Sequence, residues 1–441
     1  MGTFDDESLT QSRAAELPGD DLGNVPHALV QLEAEVGDEE FSYKVPKRSE
    51  MTALGPEIQI EQLEDDPYPI YKRLRQEQPV ARIEQLGLWF VTRWDDVRRI
   101  AGDSETFSAD TKPSTLNRTI GKSLMRTDGS YHREVRSLIE PPFSVRAVRT
   151  QMSEIVSRHA NALVATFLRD GEADLVTSFT QPLSILVLRD VLGLHEVEVE
   201  RLGVWFDSFA AGGANFEGDG IKQAYADRGS TDADSVLAPL LKRLEKGTDD
   251  SILSSMLKGR VDGRSLDHAE ILANVKLMIL GGMQEPRDLI GMTLIALLQD
   301  AGALAAVQRD RGMLRAAVEE SLRCFSPVGT LTRQTRRPVE LAGIRLAQGE
   351  MVAAVIASAN RDEQRFLDPD CFDLNRNTGS NLAFGIGPHF CIGAALARVE
   401  AKIALNVLLD LPDLRLDPAR PPLVRGWEFR GPTILPVTWA K

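Results

Sequence analysis

The ten residues Phe384-Gly385-Ile386-Gly387-Pro388-His389-Phe390-Cys391-Ile392-Gly393 constrain this chain more than any other segment. Three glycines fall within nine positions, and each loses more backbone freedom on folding than any other residue would. Such a run is useful where the backbone must turn sharply and let something large and flat approach closely. The apolar positions that follow, Ala394 to Ala397 and then Ile403 and Ala404, predict a helix. Cys391 therefore stands just before a helix N-terminus, where amide dipoles favour a thiolate. A thiolate on a glycine-rich loop, facing a planar ligand, is the arrangement that a thiolate-ligated haem requires. Cysteine alone is more often simply buried. Cys324 and Cys371 lack the glycine setting and read as one packed and one loop cysteine.

The 441 residues are 43% hydrophobic and 26% charged, an ordinary globular composition with length for a large core. Three cysteines without paired spacing argue against a disulfide scaffold and for a reducing compartment. The longest apolar run, Leu289 to Leu298, is too short to span a bilayer, and no secretory signal is visible. These features predict a cytoplasmic protein with no membrane partner. Residues 1–40 carry eleven acids against the single Arg13, so −10 of the net charge of −14 sits there. That segment is poor in apolar residues and predicts a largely disordered acidic extension over residues 1–56, ahead of a folded domain over 57–441. No basic patch suited to nucleic acid is present.

Periodicity predicts a mainly α protein with a small β region. Helical patterns cover Tyr68 to Gln78, Asp95 to Ile100, Ser144 to Asp170, Gln181 to Phe209, Asp267 to Gln299 and Ala303 to Cys324. Ala81 to Val91 alternates as a strand, and Pro327 to Ile356 shortens to β period with turns at Gly343 and Gly349. Thr106 to Gly129 and Glu217 to Thr231 read as loops.

The cysteine loop matches F-x-x-G-x-x-x-C-x-G completely, and so resembles the haem-binding loop of the cytochrome P450 family. The resemblance spans about residues 57 to 439. Asn360-Arg361-Asp362, Phe366, Asp368-Pro369-Asp370 and Phe372-Asp373 look like the family's meander, and Arg430-Gly431 with Leu435-Pro436-Val437 like its C-terminal hairpin. It implies the triangular, mainly helical P450 fold and haem b, with Phe384, Gly385 and Gly393 shaping the loop and Cys391 as the axial ligand of the iron. Glu320 and Arg323 share a helix face and match the family's E-x-x-R, which joins a meander arginine, here Arg376, in a structural triad. His132, Arg136, Arg333 and His389 match positions that hold the haem propionates, although each could instead be a solvated surface charge. Where the family often has His before the loop, this chain has Asn381.

The long helix departs from the family. Members usually carry an acid and an alcohol where this helix crosses the haem, guiding protons to bound dioxygen. This chain reads Gly281-Gly282-Met283-Gln284-Glu285-Pro286-Arg287-Asp288. Gln284 takes the acid position and Glu285 the alcohol position, and Pro286 is expected to kink the helix. A carboxylate there suits hydrogen peroxide, which needs a base to take one proton and return it to the leaving oxygen. Gln284 would orient peroxide or water. In the competing reading, Glu285 pairs with Arg287 or another cation and stays out of the chemistry.

The resemblance implies a haem-thiolate enzyme that inserts oxygen into a C–H bond. The Gln–Glu segment is similar to that of a minority of bacterial members, some of which remove methyl groups from small methoxy-aromatics, giving a phenol and formaldehyde. Leu124, Met125, Phe206, Phe209, Met278, Met283, Val328, Leu331 and Trp427 are the candidate pocket residues, although residues of these types are more often plain core than substrate contacts. The expected reactants are a small aromatic with hydrogen peroxide or dioxygen, the latter fed by a ferredoxin- or flavodoxin-type donor. The alternatives are a conventional ferredoxin-dependent monooxygenase hydroxylating another small hydrophobic molecule, and a non-catalytic haem sensor or carrier.

Overall fold

A computed structural model describes residues 54–247, 249, 251–376 and 379–441. The acidic extension expected over residues 1–56 lies outside the described residues except for its last three. Of these, Leu54 is buried, and Gly55 sits so close to the Arg82 carbonyl that a Cβ would overlap it.

Helices pack around one long central helix, His268–Gln299. A capping box fixes its start: Glu270 donates its backbone N–H to Asp267 at 2.8 Å, and Asp267 donates its own to Glu270 at 2.9 Å. Leu289 to Leu297 are buried on every face, which is why the pattern there is apolar all round. The helix continues through Pro286. Helices Gln181–Leu192, Val199–Gly213, Leu314–Phe325 and Ala394–Leu408 lie against it. No single described helix is long and apolar enough to cross a membrane.

The main sheet has five strands, in the spatial order Val80–Ile83, Leu88–Val91, Met351–Val355, Thr330–Thr335 and Phe107–Ser108. Its one parallel pair sets Phe90 beside Ala353. Smaller sheets join Leu423–Arg425 to Gly431–Ile434, and Pro436–Thr438 to Glu172–Asp174 and Arg415–Leu416. The C-terminal β region expected from Arg430-Gly431 and Leu435-Pro436-Val437 is thus shared between two sheets.

Several expected boundaries are corrected. Ala81 to Val91 is two strands around the turn Glu84–Leu86. Gln181 to Phe209 breaks at Gly193, whose φ of 72° ends the first helix. Ala303 to Cys324 is likewise two helices, Ala301–Arg309 and Leu314–Phe325. Thr106 to Gly129 contains the helix Thr115–Ile120 and the turn Leu124–Arg126. Glu217 to Thr231, read as a loop, runs into the 25-residue helix Gly220–Leu244. Asp219 caps that helix by accepting from Ile221 and Lys222. Gly229 within it breaks nothing: it lets the helix approach Ser208, whose Oγ would lie 1.8 Å from a Cβ. The glycine that looked like a loop signal is a packing contact between two helices.

Glu320 ties the helical body to the segment leading into the cysteine loop. It accepts from Arg323 Nε at 2.9 Å and Nη2 at 2.8 Å, from Arg376 Nε at 2.9 Å and from the Asp373 amide at 3.1 Å. Arg323 in turn donates to the carbonyls of Asn360, Pro369 and Cys371, and Arg376 to those of Leu367, Asp368 and Cys371. Glu320 and Arg323 are fully buried. Removing one side of such a pair strands a buried charge, at a cost of about 3–5 kcal/mol. Glu320→Gln should therefore lower unfolding free energy by about 3 kcal/mol or more in a urea titration, whereas Glu77→Gln, which breaks the exposed Arg73–Glu77 pair, should cost under about 1 kcal/mol. Equal losses would remove Glu320 from its proposed structural role.

Candidate active site

The cysteine loop is folded by its own backbone. The Cys391 amide donates to the Phe384 carbonyl at 2.9 Å, and Gly385 to Leu382 at 2.8 Å. Gly385 and Gly387 have φ of 65° and 70°, a region that side chains disfavour. Gly387 also presses on Gly102 of helix Trp94–Gly102, where a Cβ would meet the Gly102 Cα at 3.4 Å. Asn381 closes the approach by accepting from the Ala383 amide at 3.1 Å. Arg136 holds the outer side through the carbonyls of Pro388 and Phe390 at 3.2 and 2.8 Å. It also pairs with Glu140, so it is committed to shaping the loop.

Burial changes one expectation for Cys391. The helix that follows was expected to favour its thiolate. Instead desolvation pushes the thiol up to about 11, against the weaker pull of the Gly393 N–H. The fold alone thus keeps the sulfur protonated, and bonding to a metal would be what removes the proton.

On the central helix Gly281, Gln284, Glu285 and Asp288 share a face at i, i+3, i+4 and i+7. Gly281 is exposed, although it lies mid-way along the most buried helix. A Cβ on it would meet only Glu285 Oε1, at 3.9 Å. Glu285 and Cys391 are surrounded by protein yet partly accessible at their own surfaces, which places an internal cavity between helix and loop. The charge of Glu285 is felt at Cys391, so the two groups lie near one another. Burial raises the Glu285 carboxyl to about 8; Asp288 adds to the rise, and Arg287 opposes it. Arg287 is taken: its Nε bonds Asp288 Oδ1 at 2.8 Å. Glu285 Oε2 is buried without a hydrogen-bond partner.

A cationic cradle borders the other side of the loop. Arg333 is buried and donates to the Thr332 carbonyl at 2.9 Å, and Arg126 donates to that carbonyl at 3.2 Å. No carboxylate is within ion-pairing distance of Arg333 among the described residues. Burial and then Arg126 bring its guanidinium down to about 10. His132 and His389 lie ring to ring, with centroids 4.2 Å apart. Burial, then His389 and Arg136, lower His132 to about 4 and keep it neutral. His389 pairs with Asp128 at 3.2 Å. Burial alone would raise Asp128, but His389, Ser108 and Arg336 outweigh it and hold the carboxyl far below the usual range. Two buried guanidiniums converging on one carbonyl fit an anionic ligand. Together with the glycine-lined face at Gly385 and Gly393, they fit a haem whose propionates reach them. Arg126 and Asp128 were not singled out from the sequence, since nothing local marks them within a polar stretch.

The proposed pocket residues scatter. Leu124, Phe206, Phe209 and Met283 are packed into the main core. Trp427 is sealed between Phe90 and Phe216, at centroid distances of 5.6 and 6.1 Å. Met125 is on the surface. Met278, Val328 and Leu331 are partly covered, and Leu331 Cδ1 lies 3.6 Å from a Cβ on Gly385.

Residues 231–425 match the family model for cytochrome P450. The chain is 36% identical over 416 residues to cytochrome P450 monooxygenase PikC of Streptomyces venezuelae, covering 90% of this chain and 95% of the relative. It is 34% identical over 396 residues to cytochrome P450 107B1 of Saccharopolyspora erythraea, covering 83% and 93%. Among solved structures, ligand-free cytochrome P450 TbtJ1 superposes with a TM-score of 0.77 at 32% identity, covering 86% of this chain and 99% of that one. CYP109E1 of Bacillus megaterium, solved with testosterone, gives 0.79 at 28%, covering 87% and 100%. With a relative at 36% identity matched over 95% of its length, and the same fold across solved relatives, this chain belongs to the cytochrome P450 family, the monooxygenases that carry haem b on a cysteine thiolate.

Proposed function

We propose that this enzyme oxygenates a small apolar aromatic, with oxidative O-demethylation of a methoxy-aromatic as its reaction, and that it uses hydrogen peroxide with Glu285 as the proton handler. One observation carries the reading. The nearest cation, Arg287, is bonded to Asp288, which leaves Glu285 Oε2 without a partner beside the space that Cys391 also faces. That disfavours the competing role of Glu285 as half of a structural ion pair.

Cys391 would supply the thiolate that holds the haem, and Arg333, Arg126 and the His389 ring would receive its propionates. When bound, haem supplies oxygen activation at an iron whose thiolate ligand favours O–O cleavage. Glu285 Oε2 takes a proton from peroxide and returns it to the oxygen that leaves as water. The other oxygen enters the substrate C–H bond, so a methoxy group becomes a hemiacetal that releases formaldehyde. Gln284, one position before Glu285, offers an amide to orient peroxide or water. Met278, Val328 and Leu331 give the cavity apolar surface suited to an aromatic ring.

The second reading, a ferredoxin-fed monooxygenase acting on another hydrophobic molecule, is favoured by the family's general use of dioxygen and redox partners. Glu285→Gln separates the two. It should cut peroxide-driven turnover by roughly a hundredfold, as loss of a positioned acid–base group does. Unchanged peroxide turnover in this variant or in Glu285→Thr would remove the peroxide role.

The base form is required, and Glu285 stays protonated below about 8. Peroxide-driven rates should therefore climb from pH 6 toward pH 8, by about tenfold per unit, and level above it, with the climb absent in Glu285→Gln. A flat wild-type profile would sink this assignment. A screen of methoxyphenols for a haem spin-state shift, followed by formaldehyde assay with peroxide, tests the substrate class. Binders that release no formaldehyde would leave hydroxylation as the reaction. Arg126→Gln should speed haem loss to an apoglobin acceptor, and an unchanged rate would exclude Arg126 from the propionate cradle.

A further inference from the structure

Glu428 puts a carboxyl into a wall whose cavity-lining members, Val328 and Leu331, are apolar. Two stretches of main chain make that wall. The Gly329 amide donates to the Glu428 carbonyl at 2.7 Å, and Val328 pairs with Phe429 in an antiparallel bridge. The fit is close, since a Cβ on Gly329 would fall 1.9 Å from the Trp427 carbonyl oxygen. Thr330 stands between the two apolar residues, and its hydroxyl donates to Glu428 Oε2. Leu331 lies against the cysteine loop, with Cδ1 3.6 Å from a Cβ on Gly385. Two residues beyond Thr330, the Thr332 carbonyl accepts from Arg126 at 3.2 Å, which sets Glu428 beside the cationic cradle. Glu428 is enclosed by protein yet partly accessible at its own surface, the combination that marks Glu285 and Cys391. Its Oε1 accepts from no donor among the described residues and is not sealed off. No lysine, arginine or histidine is within ion-pairing distance of this carboxyl among the described residues. A carboxyl taken out of water is costly until a donor or a cation meets it.

We propose that Glu428 is a specificity residue, and that its accessible oxygen receives the protonated amine of a substrate whose aromatic ring rests on Val328 and Leu331. The inference rests on the aromatic-binding cavity proposed above, and is independent of the oxidant and of Glu285. The amine supplies the counter-charge that the surrounding protein does not. Its N–H donates to Oε1 while Thr330 keeps Oε2 in place. An alkylammonium is a compact point charge, so a single carboxyl oxygen is enough to hold it. The enzyme then selects an arylalkylamine over the same molecule without its nitrogen.

The groups around Glu428 set the pH at which it can do this. Burial raises its carboxyl to about 7; the Thr330 hydrogen bond and then Arg126 pull it down, and Glu64 of helix Ile60–Asp65 pushes it up. Tyr71, from helix Pro67–Glu77, is kept neutral by its own burial. Arg430, on the same stretch as Glu428, and Lys222, from helix Gly220–Leu244, act on Glu64. A carboxyl raised in this way is an anion only above its raised value. The charge that holds an ammonium is therefore present above about 7 and lost as pH falls through it. An alkylamine, which titrates near lysine's value of about 10, stays protonated throughout this range.

The test uses the haem-loaded enzyme, with dissociation constants read from the Soret spin-state shift and by calorimetry. The probes are para-methoxyphenethylamine, para-ethylanisole, which is the same molecule without its nitrogen, and para-methoxyphenol. At pH 8 the amine should bind about tenfold or more tighter than para-ethylanisole, the worth of one charge-assisted hydrogen bond. Glu428→Gln, which keeps an acceptor for Thr330, should erase that preference. Amine affinity should fall about tenfold from pH 8 to pH 6 in the wild type and stay level in Glu428→Gln, with para-ethylanisole level in both. Thr330→Val removes a bond that lowers the carboxyl, so it should move the midpoint to higher pH, a shift that lost packing alone does not give. Equal binding of amine and para-ethylanisole by the wild type, or an amine preference that survives in Glu428→Gln, would overturn the inference. A preference for the phenol as large as that for the amine would overturn it too, since a neutral acceptor would then suffice. Formaldehyde release reads the demethylation proposal separately. Glu428-dependent amine binding without formaldehyde leaves this inference standing and fails that proposal, and formaldehyde release without an amine preference does the reverse.

Discussion

The active-site geometry depends on the carboxylate of Glu320. One buried anion receives two arginines and a backbone amide, and those arginines spend their remaining donors on carbonyls between Asn360 and Cys371. This segment has almost no regular structure, so its carbonyls would otherwise be unpaired inside the protein. Arginine suits the task because its planar fork reaches several acceptors at fixed angles. Asn360 carries the connection onward: its amide donates to Ser326 Oγ at 2.9 Å, and its Oδ1 accepts from the Leu382 amide at 2.8 Å, three residues before Gly385. The position of the cysteine loop is thus inherited, link by link, from a charge on helix Leu314–Phe325.

The two faces of the cavity are governed by opposite uses of burial. At Cys391 burial works against ionisation, and a metal has to supply what the helix dipole cannot. At Glu285 burial has the same sign but a different use. A carboxyl in the ordinary range would be too weak a base for a peroxide proton and would stay charged in an apolar cavity. Raised to about 8, it can hold or release a proton near neutrality. Burial is the main cause of the raise, Asp288 adds to it, and Arg287, bonded to Asp288, opposes it only weakly.

The features that were legible in the sequence are those whose meaning is local. The cysteine loop, the E-x-x-R helix and the Gly281–Asp288 segment are each read within ten residues or fewer, where spacing fixes geometry. Arg126 and Asp128 were not legible, because each matters only through residues brought near by tertiary packing: Thr332 and His389. The misread stretch at Glu217 to Thr231 has the same origin. Gly229 signals a break by propensity, but in the fold it is where one helix touches Ser208 of another. Trp427 and Phe209 show the limit for apolar residues, since composition cannot say whether a large side chain faces a cavity or a core.

The C-terminal strand adds a constraint on how the distal site can vary. Gly431 lies against Asp288, and Pro432 against Gly291, so the strand is seated on the central helix over one turn. A larger residue at 431 would have to displace the Asp288 carboxyl, which would release Arg287 toward Glu285. Gly431 therefore leaves the space in which the Asp288 carboxyl holds Arg287. The choice of residue on the strand is thus tied to the ion pair on the central helix. It also accounts for an acid at 288 and a glycine at 431 as one feature: the carboxyl needs the space, and the space exists only where no side chain stands.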